Sequence, residues 1–593
     1  MRQVGMVCLA VGLMITAGLG QSTGKSVSSK SRKNTTNVTS RLEQMEKALE
    51  AQQQQITQMQ DQLKNRDSQI EQLQQQLTQT QASASKAEQD AQEAAKKGVQ
   101  PEQLSSVRQD VTDLKDAATN SALALQETQK TVSGLGSPLA IHFKGITITP
   151  GGFLAAETVY RNRALGADIN TPFNSLQMPG SGQNSVSEFY GSGRQSRITL
   201  LAEGKLNDAK LSGYYEADFL SSGTTSNNNQ SNSYTMRQRQ LWAQAAYHDW
   251  TVTGGQMWSL ITETKNGVDN RTEALPMTID AQYTVGFSWA RQFGLRVAKS
   301  FNKRVWLAAS LENPQTTFAA RGNAANFALG GPGNGGGLYN ATANYSFNAT
   351  PDVIAKAVFE PGFGHYEIFG VFSRFRDRVY PCAEPPADLN LCNGGVSSTQ
   401  GAFNDSKNGG GIGANARVTF HKQIDFGVHF LGGNGVGRYG TGGLPDATVH
   451  ADGTLALLRS YQGLGTLEWH KPRFDVYFNA GGEYVSRNWQ MDTVSNKAVG
   501  YGSPLFDTTG CYAETLPGNS GFAFGGLSNC NADTRNLIEG TFGFWVRLYN
   551  GPRGKLQFGP QYSYVTRNTW TGTGGDPHGV DNLVFTSFRY YLP

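Results

Sequence analysis

From Ile141 to the end of the chain, apolar and polar residues alternate in short segments, with no long apolar run. In Ile412-Gly-Ala-Asn-Ala-Arg-Val-Thr-Phe420, one face holds Ile412, Ala414, Ala416, Val418 and Phe420. In Ile424-Asp-Phe-Gly-Val-His-Phe430, the matching face holds Ile424, Phe426, Val428 and Phe430. Asn415, Arg417, Thr419, Asp425 and His429 occupy the opposite face. A period of two places these sets on opposite sides of a sheet, and the polar link His421-Lys-Gln423 makes the pair a hairpin. The pattern predicts sixteen strands, at 146–160, 192–204, 208–220, 234–247, 250–258, 283–301, 303–312, 351–360, 364–380, 410–422, 424–433, 456–470, 472–487, 535–549, 552–568 and 581–592. Connections alternate between short, such as Phe301-Asn-Lys303, and long, such as 488–534. An even strand count with alternating turns and loops is the pattern of an all-β transmembrane antiparallel β-barrel, apolar outside and wet inside. Tyr247, Trp250, Trp258, Trp306, Trp469, Tyr549, Tyr562 and Tyr564 cluster at strand ends, where interfacial girdles would lie.

The period changes upstream. Residues 1–20 read as an export signal, with Arg2 before an apolar core and Gly18-Leu-Gly20 for cleavage. Residues 21–39 form a polar linker. Leu42, Leu49, Ile56, Leu63, Ile70, Leu77, Ala84 and Ala91 recur every seven residues, which predicts an α-helical coiled coil over 40–97. A break at 98–103 contains Pro101. A second coiled segment covers 104–133, and a linker at 134–140 leads to the barrel domain, 141–593. A coil requires partner chains, so a homo-oligomer is expected, and three chains would suit a trimer.

Composition narrows the chemistry. Charged residues are sparse, at 17%, and the formal net charge of +4 is too small to argue for nucleic acid. Cys8 leaves with the signal. Cys382 with Cys392, and Cys511 with Cys530, form two local pairs in glycine- and proline-rich loops, which in an exported protein read as disulfides. Without CxxC spacing or a nearby histidine, these cysteines point to no metal site. No catalytic motif stands in a convincing context, so neither an enzyme nor a cofactor is expected.

The stretch Arg237-Gln-Arg-Gln-Leu-Trp-Ala-Gln-Ala, followed by Gly255-Gln-Met-Trp-Ser259, resembles the fourth and fifth strands of the DcaP-like family of trimeric outer-membrane porins. The export signal, coil and barrel resemble that family's architecture. The resemblance implies a passive outer-membrane channel that favours small anions such as dicarboxylates, with its coil in the periplasm.

Assigning apolar faces to lipid gives the expected lumen. With Phe369, Val371, Phe375 and Val379 outward, Arg374, Arg376 and Arg378 would form an inward ladder. Phe293, Leu295 and Val297 outward leave Gln292 and Arg296 inward, and Arg417, Arg197 and Arg547 join them. These arginines either attract permeating anions or brace the wall by pairing with carboxylates such as Glu216. Arg237 and Arg239 share a face with Leu241 and are expected at the outer rim. The third long loop, 259–282, carries Glu263, Asp269, Arg271, Glu273 and Asp280. By analogy with general porins it would fold inward and narrow the channel; the alternative is an external loop. The expected function is passive diffusion of small hydrophilic anions. The rival is a structural anchor tying outer-membrane lipid to the cell wall, with peptidoglycan as partner.

Overall fold

A computed structural model describes residues 140–220, 235–322, 326–329, 347–383, 392, 395–517 and 523–593. The chain divides into Met1–Gly136 and Ser137–Pro593. The signal, the 21–39 linker and both coiled segments lie outside the described residues.

The second unit is a closed antiparallel barrel of sixteen strands. In chain order they are β1 (Ile146–Arg161), β2 (Arg197–Leu206), β3 (Ala209–Asp218), β4 (Arg237–Tyr247), β5 (Trp250–Trp258), β6 (Arg291–Phe301), β7 (Val305–Glu312) and β8 (Asp352–Phe359). The second half comprises β9 (His365–Val379), β10 (Phe403–Phe420), β11 (Ile424–Asn434), β12 (Arg459–His470), β13 (Phe474–Val485), β14 (Thr534–Gly551), β15 (Gly554–Thr569) and β16 (His578–Tyr591). Each strand pairs with the next, and every pair is antiparallel.

Closure depends on β1. Its first half pairs with β2, Ile146 opposite Gly204. Its second half pairs with β16, Phe153 opposite Tyr591 and Arg161 opposite Leu583. Two short strands cover the other side of each half, Ile141–Phe143 against the first and Glu188–Ser192 against the second, so little of the β1 edge is left to meet oil unpaired. The changeover falls at Gly152, whose φ is +130°. A Cβ there would sit 2.0 Å from the Arg197 carbonyl oxygen, so only glycine fits.

The outward face matches the alternation. Val428 opposes Ala416 and Phe426 opposes Val418, and Ile412, Phe426, Val428 and Phe430 are exposed on the barrel's outer surface. Phe293, Leu295 and Val297 of β6 are likewise exposed, while Gln292 and Arg296 are buried inside. Two departures are local. Strand β6 starts at Arg291, because 283–290 belongs to an inward loop. Strand β10 starts earlier than expected, at Phe403, because it follows β9 to its outer end. Tyr247, Trp250, Trp469, Tyr549, Tyr562 and Tyr564 are exposed, as girdle residues would be, but Trp258 and Trp306 are buried and face inward. Both cysteine pairs are bonded, Cys382 to Cys392 and Cys511 to Cys530.

Gly152→Val is expected to lower barrel stability by about 2 kcal/mol or more, since it combines strain with a backbone clash. Gly191→Val, where a Cβ meets nothing within 4 Å, is the control. Denaturant titration in detergent, followed by the gel-mobility shift of the folded barrel, would measure the difference.

Candidate functional site in the barrel lumen

Residues 259–290, between β5 and β6, fold into the barrel. Their contacts run around its inner wall, which is possible only from inside. Leu260 N–H donates to Glu312 of β7 at 2.8 Å, and Thr264 N–H to Glu367 of β9 at 3.0 Å. Gly267 N–H donates to Glu360, just past β8, at 2.6 Å. The chain then crosses the lumen: Ile279 N–H reaches Gln561 of β15 at 2.5 Å. It returns along Glu539 of β14, which accepts from Val285 N–H at 2.8 Å, and Glu483 of β13, which accepts from Gly286 N–H at 3.0 Å. Ser288 ends the path 2.8 Å from His429 of β11. His429 is therefore sealed under the loop and stacked on Phe369, with 6.3 Å between ring centroids. Of the two placements open for residues 259–282, inward or external, the chain takes the inward one.

A second inward segment, 435–458, lies between β11 and β12. Its Arg438 guanidinium pairs with Asp352 of β8, and Tyr439 Oη donates to the same carboxylate at 2.8 Å. Trp289 Nε1 of the first loop donates to the Gly440 carbonyl at 3.0 Å. Between them the two segments cover the inner face of β7 to β15. Leu260, Ile261, Phe369, Val371, Leu431, Val436 and Tyr439 make one buried apolar cluster there.

That cluster overturns one expectation. Phe369, Val371, Phe375 and Val379 point inward, not to lipid. Arg374, Arg376 and Arg378 fall on the outward face with exposed Ile368 and Phe372, and they do not line the lumen. Arg378 Nη1 donates to Asn404 on the neighbouring strand at 3.0 Å. The other four expected arginines do face inward, and each is engaged. Arg417 binds Glu263 of the inward loop at 2.7 Å. Arg296 donates to the Trp258 carbonyl at 2.6 Å and to Asn270 at 2.8 Å. Arg547 pairs with Asp475 near the short-turn end. Arg197 lies 3.7 Å from Glu216 and over the Phe153 ring at 5.1 Å. Bracing accounts for Arg417 and Arg547, and Arg296 holds the inward loop.

The wall from β1 to β5 is different. Its inward side chains Thr149, Thr199, Glu203, Ser212 and Gln244 stay half-exposed, which locates the wet passage along these strands. A basic group stands at its outer end. Arg239 donates to Glu216 at 2.5 Å and to Asp218 at 2.7 Å, and its other Nη donates to Tyr283 Oη at 3.2 Å. Arg237 grips Asp218 with two bonds of 2.9 Å. Arg291 stacks on Trp258 at 4.8 Å, and Arg271, at the loop tip, stacks on Tyr214 at 5.0 Å. With Arg197, five guanidinium groups meet two carboxylates. Arg197 Nε and Arg291 Nη1 have no hydrogen-bond partner among the described residues.

Arg237 and Arg239 lie at the outer end, as expected, but on the inward face rather than the face of Leu241, because β4 carries a bulge. Glu216 pairs with Gln240, but Ala217 pairs with Gln238, so Arg239 is the extra residue. It turns inward together with Gln240, while Leu241 still faces out. The signal for a bulge is absent from the local sequence, which contains no glycine there.

The loop's acidic residues have separate fates. Glu263 is consumed by Arg417. Asp269 and Arg271 are exposed at the tip. Burial pushes the Glu273 carboxyl up to about 7, which weakens its opposition to the basic wall. Asp280 is buried and accepts the N–H groups of Thr171 at 3.1 Å and Gln282 at 2.8 Å, tying the first long loop to the inward one.

Protein-family models and curated protein sequences give no match to the chain. Among solved structures it is similar to the outer-membrane channel DcaP of Acinetobacter baumannii, with 14% identity and a TM-score of 0.51 over 76% of this chain and 99% of that one. It is also similar to outer-membrane-expressed OmpT of Vibrio cholerae, with 10% identity and a TM-score of 0.40 over 76% of this chain and 100% of that one. An anion-selective porin from Comamonas acidovorans aligns with 7% identity and a TM-score of 0.38 over 75% of this chain and 100% of that one. The DcaP likeness establishes a shared barrel fold, in keeping with the resemblance of the β4 and β5 motifs.

Burial raises the Asp280 carboxyl from 3.8 to about 6. The folded state then holds a proton that the unfolded chain releases. This contribution to stability is complete below about pH 4 and declines as pH rises to about 6. Asp280→Asn is expected to flatten the pH dependence in that window. Denaturant unfolding at pH 4, 5, 6 and 7 would measure the slopes.

Proposed function

We propose that the chain is an outer-membrane channel for passive diffusion of small hydrophilic anions, with carboxylates as the favoured class. The observation that carries this reading is the surplus of guanidinium over carboxylate beside the wet β1–β5 wall. Fixed positive charge beside a low-dielectric wall raises the local concentration of anions. Guanidinium also matches the carboxylate fork better than ammonium does. Dicarboxylates fit a lumen in which several guanidinium groups stand together. A homotrimer joined through a periplasmic coiled coil is the proposed assembly; the heptads before residue 134 support the association of chains, and the trimer rests on the family resemblance.

Planar-bilayer recording in a salt gradient tests the channel. The wild type should show stepwise conductance and a reversal potential of anion-preferring sign. Replacing Arg197, Arg237 and Arg291 together by Ser should cut the anion-to-cation permeability ratio several-fold. Arg239 remains in this variant, so neither Glu216 nor Asp218 loses its last partner. The Arg374→Ser, Arg376→Ser, Arg378→Ser triple variant should leave the ratio unchanged. Cation preference in the wild type would refute the anion reading. A folded barrel that never conducts would favour the anchor instead.

A further inference from the structure

Strands β11, β12 and β13 meet at the short-turn end of the barrel, the periplasmic end in outer-membrane barrels. Here Asp425 lies directly opposite Glu468, and His470 directly opposite Asp475. Two carboxylates facing each other across a strand pair repel unless something positive sits between them. Glu468 is 1% exposed, and its Oε2 accepts no hydrogen bond among the described residues, its one close partner there being the His470 ring at 3.3 Å. Asp425 Oδ1 has none either. The nearest arginines bond elsewhere: Arg417 binds Glu263 through Nε and Nη2, and Arg547 pairs with Asp475, so the charge of Arg417 reaches Glu468 and Asp425 without a hydrogen bond to either.

His470 supplies the third donor. Its Nε2 lies 3.3 Å from Glu468 Oε2 and 3.4 Å from Asp425 Oδ2. One ligand atom from each of the three residues falls within 4.8 Å of the others. A tetrahedral ion with bonds of about 2.0–2.1 Å separates its ligands by roughly 3.4 Å. The ring is also oriented for ligation. Its Nδ1 is 2.8 Å from Asp475 Oδ1, and Arg547 holds Asp475 from behind. A carboxylate on Nδ1 fixes the tautomer that leaves Nε2 free to bind a cation.

We propose that His470, Glu468 and Asp425 form a binding site for a divalent transition-metal ion of the zinc class, set in the periplasmic rim of the barrel. Imidazole with two carboxylates selects zinc, cobalt or manganese over calcium and magnesium, which prefer oxygen donors alone. Asp475 is a positioning residue that acts through His470.

The test uses the full chain, folded in detergent, without a histidine tag and stripped with chelator. Titration with zinc should show one saturable site per chain, and cobalt should give a visible ligand-field band. His470→Ala should weaken zinc binding at least 100-fold. Asp475→Asn should weaken it about 10- to 100-fold, as loss of a ligand-orienting partner does. Glu468→Gln, which keeps the side-chain shape, reads the same site if His470→Ala fails to give a folded barrel. The gel-mobility shift reports folding of each variant. Absence of saturable zinc binding by the wild type would overturn the proposal. So would undiminished binding by a folded His470→Ala or Glu468→Gln variant, or calcium binding as tight as zinc.

Discussion

A loop without regular structure can lie inside a barrel only if its backbone N–H groups find acceptors, since a buried unpaired amide costs about 1–3 kcal/mol. The barrel wall supplies them. Glu312, Glu360, Glu367, Glu483, Glu539 and Gln561 come from elements spread around more than half of the circumference, and each takes an N–H from residues 260–286. The strands thus form a ring of acceptors and the loop a belt of donors. Lys356 adds a cross-link, donating to the Thr262 carbonyl at 2.8 Å and to Glu367 at 2.8 Å. Much else about the lumen follows from this fit.

One consequence is electrostatic. Carboxylates bound to backbone amides, or sealed under the loop, are poorly placed to attract permeating cations. Glu312 of β7, Glu367 of β9, Glu483 of β13 and Glu539 of β14 are spent in this way. The half-exposed part of the β1 to β5 wall carries Arg197, Arg237 and Arg239, with Arg291 of β6 and Arg271 of the loop beside it. The charge left facing the open part of the lumen depends less on total charge, which is nearly balanced, than on which carboxylates the loop consumes. Glu263 shows the same economy from the loop's side, since its pairing with Arg417 neutralises both.

The barrel itself was legible in the sequence because lipid imposes one rule on every strand. Outward positions must be apolar, and period-two alternation records that rule even at this low overall hydrophobicity. Ile424, Phe426, Val428 and Phe430 needed no further information. The lumen was less legible, because two rules act there at once. Where water lines the wall, inward positions are polar, as at Thr149 and Thr199. Where an inward loop packs on the wall, they are apolar, as at Phe369 and Val371. On β9 both faces therefore carry large apolar residues, and alternation alone assigns the longer, inward set to lipid. Arg239 was lost for a separate reason: a single bulge reverses parity at one position and leaves no mark in composition. The cluster at His470 escaped because its ligands come from two strands and show no spacing motif.

The arginines of β9 also show why charge alone did not correct the assignment. A guanidinium on the lipid face costs about 2–4 kcal/mol at the bilayer midplane, a cost that also favours an inward Arg374, Arg376 and Arg378. It falls to roughly 0–1 kcal/mol near the interface. A transmembrane strand needs only about 9–11 residues, whereas β9 has 15. Counting from the short turn, Ile368 and Phe372 fill the outward positions at oil depth, and the three arginines come after them. Their cross-strand neighbours Asn408, Ser406 and Asn404 are polar as well. An outward face that turns from aliphatic to polar on two paired strands at one height marks the edge of the oil. Depth along the strand, rather than the period of two, separates a lipid-facing arginine that is forbidden from one that is merely above the membrane.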